Sequence, residues 1–447
     1  MHFFCTKRKK LCEFNALDEN HIKIYSCGPT VYDAVHIGNA RPLVVFDTLF
    51  RLSRHLYDKT TYVRNITDVD DKINARARES GQSLFALCEA TIAQFHDDCA
   101  ALQCLSPTIE PKATDHIDVM TALIDSLIAR GHAYEASGHV FFHVPSYQDY
   151  DAFAMGGAVL EGARIDVNPL KHDARDFVLW KPAGNDPGWP SPWGLGRPGW
   201  HIECSAMSYK YLGADFDIHT GGQDLIFPHH TNEAAQSCCA IPHATFAQYW
   251  LHNGYVTVDG QKMSKSLGNF YTVRDLRKTY DGEVIRMTLL QSHYRQPMDF
   301  SHAKLDQAHQ TLKRLYGALA LGNGQSIPDC PPDDALIAAL CDDLNTPRAL
   351  ARLASLANDA YTRNGDGDVV ARLRSSAGLL GLLQQPVDCW LQGGEDAQAQ
   401  KIETIIAARA QAKAAKDFAH ADALRAQLLA MGVEIMDSKS ATTWRRK

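Results

Sequence analysis

A strand–loop–helix segment near the N-terminus constrains the fold of this chain most strongly. Residues 22–46 read IKIYSCGPTVYDAVHIGNARPLVVF: β-favouring residues come first, Gly28 breaks the strand, and helix-spaced apolar residues follow Asn39. The intervening loop carries Cys27 and His36. Doubly wound α/β domains begin in this way and bind their ligand at the carboxyl end of the first strand. A helix N-terminus there presents free N–H groups to an anion such as phosphate.

Later segments extend the α/β pattern. Residues 59–69 predict a second strand, and helical periodicity follows at 71–102, with a break near Gly81, and again at 113–130. The carboxylates after the second strand are Asp68, Asp70 and Asp71. Three carboxylates suit a metal, but a polar strand end that caps the next helix is the more frequent arrangement.

The remaining segments differ in character. Short strands are predicted after residue 134, including 163–167, and residues 182–198 form a loop rich in Pro, Gly and Trp. From about residue 303 the chain is helical, and a last module after about 395 contains one strong helix pair. We therefore predict a parallel sheet that is split by an insertion and followed by helices.

Composition bounds the class of protein. Neither a signal peptide nor a membrane-spanning run of about 20 apolar residues is evident, which predicts a cytoplasmic protein without a membrane partner. The twelve cysteines are scattered, so we interpret them as reduced thiols. A net charge of -7 argues against a general nucleic-acid binder, although it permits local basic surfaces.

The sequence KMSKS at 262–266 follows a predicted strand and an Asp259-Gly260 turn. Two lysines beside small residues suit a phosphate group, although a lysine pair in a loop is more often simply solvated. Together with His36-Ile37-Gly38-Asn39, this segment resembles the paired HIGH and KMSKS signatures of class I aminoacyl-tRNA synthetases. Asn39 departs from that pattern, which has a second histidine there.

Metal ligands are harder to select from the residues alone. His229 and Glu233 are four positions apart on a predicted helix, so they share a face. Cys27 and Cys204 are far apart in sequence, and a buried cysteine is usually inert packing. Thiolate, imidazole and carboxylate are all zinc ligands, but spacing does not single out these four.

A resemblance does single them out. The segments GPTVYDAVHIG, YVRNITDVDDK, RPGWHIECSAMS, FDIHTGGQDLIFPHHTNEAAQ, DALR and TTWRRK are similar to those of cysteinyl-tRNA synthetases, over essentially the whole chain. This resemblance implies one zinc ion per chain, bound by Cys27, Cys204, His229 and Glu233, with the thiolate of the substrate cysteine on the metal. Thr231 departs from the family, which usually has an acidic residue there.

The resemblance also implies the remaining sites and partners. ATP, with Mg²⁺, would contact His36, Gly38, Asn39, Lys262 and Lys265. The amino-acid pocket would contain Thr67, Trp200, His219 and Asp224. The partners would be L-cysteine, ATP and tRNA(Cys), and the protein a monomer. Contacts with tRNA are expected at Trp444, Arg445 and Arg446, for which a purely structural role in the C-terminal module is the alternative.

The expected fold is a class I Rossmann-type nucleotide-binding domain split by an insertion, then a helical bundle and a small C-terminal anticodon-binding module. Expected boundaries are 1–111 (first catalytic half), 112–195 (insertion), 196–250 (second catalytic half), 251–302 (stem-contact region with the lysine loop), 303–390 (helical bundle) and 391–447 (anticodon-binding module).

Two other functions share parts of this resemblance. The cysteine ligase of mycothiol synthesis activates cysteine in the same way but joins it to an aminosugar, and it lacks the full anticodon module. A non-catalytic tRNA-binding protein on a synthetase scaffold would not need KMSKS and all four metal positions. The main prediction is a cysteine–tRNA ligase that forms cysteinyl-AMP and then charges tRNA(Cys).

Substituting Lys265→Ala should lower the rate of cysteine activation, because the flexible ammonium stabilises the charge that develops as pyrophosphate leaves. We expect a reduction in rate of about tenfold to a thousandfold, measured as cysteine-dependent ATP–pyrophosphate exchange. Unaltered activation kinetics would remove the role predicted for Lys265.

Overall fold

The computed structural model describes residues 1–153, 168–263, 269–322, 328–392, 397–415, 417–437 and 442–446. Its first elements are β1 (His2–Cys5), β2 (Lys10–Glu13), β3 (His21–Ser26), α1 (Ile37–Leu56), β4 (Lys59–Arg64), α2 (Asp71–Ser80) and α3 (Leu84–Ala101). They are followed by α4 (Ile117–Ala129), β5 (Ala133–Ala136), β6 (His139–Phe142), α5 (Tyr150–Phe153), β7 (Phe177–Pro182) and β8 (Gly196–Pro198).

The chain continues through α6 (Trp200–Leu212), β9 (Asp215–Gly222), α7 (Thr231–Ala240), β10 (Phe246–Asn253), β11 (Val256–Val258), β12 (Gln261–Lys262), α8 (Val273–Leu276), α9 (Gly282–Leu290) and β13 (Met298–Phe300). The last elements are α10 (His302–Ala320), α11 (Asp334–Cys341), α12 (Thr346–Thr362), α13 (Gly367–Leu379), α14 (Val387–Gln392), α15 (Ala397–Ala414), α16 (Phe418–Ala430), β14 (Val433–Asp437) and β15 (Thr442–Arg446).

The central sheet has four parallel strands in the order β10-β9-β3-β4. Its first two strands in sequence precede the insertion and its last two follow it, so the predicted split sheet is confirmed. Tyr25 lies opposite His219, and Ser26 opposite Thr220. Because all four strands run in the same direction, the loops that follow them meet at one edge of the sheet.

Helix α1 begins earlier than predicted, because His36 caps it. The His36 ring accepts hydrogen bonds at Nδ1 from the N–H groups of Gly38, at 3.1 Å, and Asn39, at 3.3 Å. The Gly38 N–H belongs to the first turn, where helical N–H groups lack a carbonyl partner within the helix, while the Asn39 N–H also bonds to the His36 carbonyl at 2.9 Å. The HIGN tetrad is therefore the N-cap and first turn of α1 rather than a loop before it.

Strand β4 ends at Arg64, five residues before the predicted end. Beyond it, Ile66 and Thr67 form single bridges, Thr67 with Thr30, so the chain leaves the sheet here.

Helix α2 is capped by Asp70, which accepts a hydrogen bond from the Lys72 N–H at 2.7 Å. The helix-cap interpretation of this acidic strand end is confirmed, as is the break at Gly81, which has a φ of 66°.

The insertion forms an antiparallel sheet in the order β5-β6-β7-β8. The helix predicted at 113–130 is observed as a 3₁₀ turn, Ala113–His116, followed directly by α4. Gly131, with a φ of 79°, ends it as expected. The predicted strand at 163–167 lies outside the described residues.

Internal packing divides the chain into two compact units: Met1–Lys304 with Ile337–Ala349, and Leu305–Leu336 with Leu350–Lys447. Asp343 explains why residues from the helical region belong to the first unit. Its carboxylate accepts hydrogen bonds from the Phe4 N–H at 2.9 Å and from the Tyr294 hydroxyl at 2.8 Å. The predicted domain boundaries remain predictions.

No helix within the described segments has the length and apolarity needed to cross a bilayer.

A buried ion pair joins α1 to α9. The Asp47 carboxylate accepts from Arg286 Nη2 at 2.5 Å and from the Leu105 N–H at 2.7 Å. Arg286 Nη1 also donates to the carbonyl groups of Leu102 and Gln103. The Asp47 and Arg286 side chains are 4% and 0% exposed, so these hydrogen bonds replace the water that both charges lose on burial. Arg51 Nε is a second partner of Asp47, at 2.7 Å.

Replacing Arg286 with methionine should lower the free energy of unfolding by ~1–3 kcal/mol, because it removes the buried donor to Asp47 and to the Leu102 and Gln103 carbonyl groups. Asp47 keeps a second partner, since Arg51 Nε donates to its Oδ2 at 2.7 Å. Arg76→Met is the matched control, since Arg76 is half exposed and its ion pair with Glu79 spans 3.7 Å. The control should cost less than ~1 kcal/mol. Urea unfolding measures both values, and equal costs for the two variants would contradict this assignment.

Candidate active site

Four side chains meet where the sheet ends. Cys27 lies one residue beyond β3, Cys204 on α6, His229 just before α7, and Glu233 in its first turn. Cys27 Sγ is 3.7 Å from Cys204 Sγ and 3.3 Å from Glu233 Oε1, while His229 Nε2 is 3.0 Å from Glu233 Oε1. All four ligand atoms lie within 4.8 Å of one another. The structure thus brings together the four predicted ligands.

Two of the ligands, Glu233 and Cys204, lie where their ionised forms are favoured, whereas burial and the neighbouring Cys204 raise the pKa of the Cys27 thiol. Burial alone would raise the pKa of the Glu233 carboxyl, but His219 and His229 outweigh it and hold that pKa well below its usual range. Burial likewise opposes a Cys204 thiolate, yet the hydrogen bond from Cys27 and the neighbouring His229 lower the pKa of Cys204 to about 6. Two sulfurs, an imidazole and a carboxylate form a donor set that zinc accepts, so the residues fit this metal.

A second set of four ligands shares two members with the first. Cys27 and Glu233 also lie beside His219 and His230, again with all ligand atoms within 4.8 Å. His219 Nε2 is 2.8 Å from Glu233 Oε2, and His230 Nε2 is 3.4 Å from Cys27 Sγ. This set has one sulfur instead of two. Because soft thiolates favour zinc, the set that contains Cys204 is the better zinc site.

His201 is a part of the site that the sequence analysis missed. Its Nδ1 is 2.8 Å from His229 Nδ1, so it hydrogen-bonds to the ring nitrogen of His229 that does not contact Glu233. Burial and the neighbouring His229 lower the pKa of His201 to about 3, which keeps its ring neutral. Its position three residues before Cys204, on the same helix face, was the available signal.

Two members of the predicted amino-acid pocket, Trp200 and His219, contact this cluster directly. Trp200 is 40% exposed and stacks on the ring of His229, with centroids 4.2 Å apart. His219 is fully buried and bonded to Glu233. Thr67, also buried, donates to Glu203 Oε2 at 2.9 Å. The remaining predicted member, Asp224, is exposed in the short turn directly after β9.

The predicted nucleotide side lies at the start of α1. A Cβ atom on Gly38 would lie 2.8 Å from His36 Cε1 and 3.0 Å from Met263 Cε. The beginning of the lysine segment therefore packs against the HIGN turn, and glycine is the residue that permits this approach. Lys262 lies in β12. Lys265 lies outside the described residues.

Comparisons with known proteins identify the family. Residues 13–310 match the family model described as the tRNA synthetases class I (C) catalytic domain, and residues 396–445 match the cysteinyl-tRNA ligase anticodon binding domain. The chain belongs to the cysteine–tRNA ligase family. It is 51% identical to the cysteine–tRNA ligase of Rhodospirillum rubrum, an alignment that covers 100% of this chain and 99% of the relative. The corresponding ligase of Acidiphilium cryptum is 52% identical, with 99% and 98% covered.

The fold has relatives among solved structures. The Mycobacterium tuberculosis methionyl-tRNA synthetase in complex with methionyl-adenylate aligns with a TM-score of 0.58 at 15% identity, covering 87% of this chain and 94% of that one. This likeness concerns the fold, which is the predicted class I architecture. The predictions of an enzyme, and of a cysteine–tRNA ligase in particular, are confirmed by family membership.

The Trp444 side chain lies in the hydrophobic core of the C-terminal module. It is 3% exposed, packs with Ile402, Leu428 and Val433, and donates from Nε1 to Glu403 Oε1 at 2.5 Å. These contacts favour the structural alternative for Trp444 over direct contact with tRNA. The neighbouring residues Arg445 and Arg446 lie in β15, which pairs with β14.

Substituting Cys204→Ser should abolish tight zinc binding, because a serine hydroxyl stays protonated and is a poorer ligand than a thiolate. Zinc content after dialysis against a chelator measures this loss. Cys99→Ser is the matched control, since Cys99 is a buried free thiol outside the cluster, and it should keep its zinc. If Cys204→Ser keeps zinc while His230→Ala loses it, the second ligand set is the metal site.

Proposed function

We propose that this chain selects L-cysteine for its ligase reaction through one zinc ion, held by Cys27, Cys204, His229 and Glu233. The observation that carries this proposal is the convergence of these four ligand atoms, three of them on buried residues, at the carboxyl edge of the parallel sheet. Bound there, zinc supplies a soft Lewis acid for the sulfur of the substrate. The cluster lies where ligands bind in open α/β sheets.

The side chains around the cluster would then hold the amino acid. Trp200 stacks over His229 at the exposed side and excludes water from this ligand. His219 keeps the second oxygen of Glu233 occupied, so Glu233 presents only Oε1 to the shared ligand site. Thr67 and Asp224 would meet the ammonium group of cysteine, the latter as its counter-charge.

The first turn of α1 would bind ATP, with Mg²⁺ as the counter-ion of the phosphates. The His36 ring orders the first turn of α1, and the positive end of the helix dipole there would favour the charged phosphates. Gly38 keeps this turn free of side-chain bulk, and Asn39 lies in it. Lys262 and Lys265 would stabilise the triphosphate as pyrophosphate leaves.

Selectivity against serine is the reason to use a metal here. Cysteine and serine differ by one atom, and a hydrophobic pocket separates such close analogues by only about 10- to 200-fold. A metal that prefers sulfur adds discrimination, because the thiol ionises far more readily than the hydroxyl. The binding step could then be selective enough without an editing site.

The acceptor would be tRNA(Cys), recognised in part by the C-terminal module. A match of residues 396–445 to an anticodon-binding domain supports tRNA over the aminosugar of mycothiol synthesis. Unstacked anticodon bases are well suited to contact side chains, with Arg445 and Arg446 as candidates. We further propose a monomer in the cytoplasm, where tRNA is charged for translation.

Zinc-loaded protein should support cysteine-dependent ATP–pyrophosphate exchange, and kcat/KM for cysteine should exceed that for serine by more than the ~200-fold of a hydrophobic pocket. Removing the zinc with a chelator should abolish exchange with cysteine, and restoring it should recover exchange. A zinc-loaded protein without exchange would favour the non-catalytic alternative. Exchange without charging of tRNA(Cys) would indicate a small amine as the acceptor.

A further inference from the structure

A buried asparagine side chain connects the metal cluster with the predicted amino-acid pocket. Asn65 follows the last residue of β4 and is 1% exposed. Its Oδ1 accepts from the Gly28 N–H at 2.9 Å and lies 3.7 Å from Cys204 Sγ. Its Nδ2 donates to Thr67 Oγ1 at 3.2 Å. One side chain therefore contacts three segments of the site.

The orientation of this amide follows from its neighbours. A backbone N–H can only donate, so the atom that faces Gly28 is the amide oxygen. The amide nitrogen of Asn65 then faces Thr67, and it can only donate. Thr67 therefore accepts this hydrogen bond and uses its own hydrogen for Glu203 Oε2, at 2.9 Å.

These two hydrogen bonds determine which atoms of the Thr67 hydroxyl group are left to bind a ligand. A hydroxyl group has one hydrogen and two lone pairs. With the hydrogen given to Glu203 and one lone pair used by Asn65, a single lone pair remains on Thr67 Oγ1. That lone pair can accept a hydrogen bond from an ammonium group but not from a carboxylate, which has no hydrogen to donate.

The backbone of Asn65 supports the same segment as its side chain. A Cβ atom on Gly28 would lie 1.6 Å from the Asn65 carbonyl oxygen, so no side chain fits between the two residues. The turn that follows Cys27 thus packs directly on Asn65 and is also hydrogen-bonded to its side chain. The position of Cys27 therefore depends on Asn65.

We propose that Asn65 is a positioning residue for cysteine binding: it holds the Cys27–Gly28 turn beside Cys204 and orients the Thr67 hydroxyl toward the substrate ammonium. The proposal rests on the proposed function, since it requires cysteine to bind beside these residues. Asn65 acts through Thr67, Gly28 and Cys204. Its loss should affect cysteine rather than ATP.

A double-mutant cycle between Asn65→Leu and Thr67→Val tests this coupling. Each single variant should raise the KM for cysteine in ATP–pyrophosphate exchange by about tenfold, as expected for a lost buried hydrogen bond. The double variant should raise the KM by less than the product of the two single effects, because both changes remove the Asn65–Thr67 hydrogen bond, whereas only Asn65→Leu also removes the contact with Gly28. The KM for ATP should stay unchanged. Additive effects, or an equal rise in the KM for ATP, would overturn the proposal.

Two further variants keep the test decisive. Asn65→Asp preserves the shape of the side chain and the acceptor for Gly28, so it serves if Asn65→Leu does not fold. It should raise the KM for cysteine and weaken zinc binding in chelator competition, because a carboxylate then faces Cys204. Asn74→Leu, a change at a buried asparagine of α2, should leave both values unaltered.

The two proposals fail in different ways. If the unmodified protein neither binds zinc nor activates cysteine, the proposed function is wrong, whatever the Asn65 variants do. If the unmodified protein does both, and Asn65→Leu and Asn65→Asp match it in zinc affinity and in the KM for cysteine, only the positioning role of Asn65 is wrong.

Discussion

Parallel pairing of β3 with β9 is the constraint on which the site depends. Cys27 and Cys204 are 177 positions apart in sequence, and the insertion lies between them. The pairing sets Tyr25 opposite His219, so the residues that follow both strands reach the same edge of the sheet. The four-ligand cluster is a consequence of this register: it draws one ligand from the loop after β3 and the others from the helices on either side of β9.

The buried Glu233 carboxylate is stabilised by its histidine neighbours. An isolated buried carboxylate is strongly unfavourable, yet Glu233 is fully buried, with His219 on one oxygen and His229 on the other. His229 in turn contacts the neutral ring of His201. Such outer contacts orient metal ligands and fix their tautomers. The four ligand atoms therefore converge, while His219 and His201 contact two of the ligands from outside.

Local sequence patterns predicted which helices and strands form more accurately than the residues at which they begin and end. The break at Gly81 and the cap at Asp70 were predictable, because a left-handed glycine and a helix cap are local features. The start of α1 at Ile37 was missed by the apolar periodicity, which begins later. The early end of β4 was missed because Thr67 still has β-favouring neighbours, and only its bridge to Thr30 shows where the chain leaves the sheet.

The sequence by itself determined the opening strand–loop–helix, the shared face of His229 and Glu233, and the motifs that identify the family. Cys27 and Cys204 could be selected only through that family resemblance. The tertiary structure alone decided that Asn65 joins them to the pocket and that Trp444 is buried. The physical reason is range: capping and helix periodicity act over a few residues, whereas these contacts depend on the packing of segments distant in sequence.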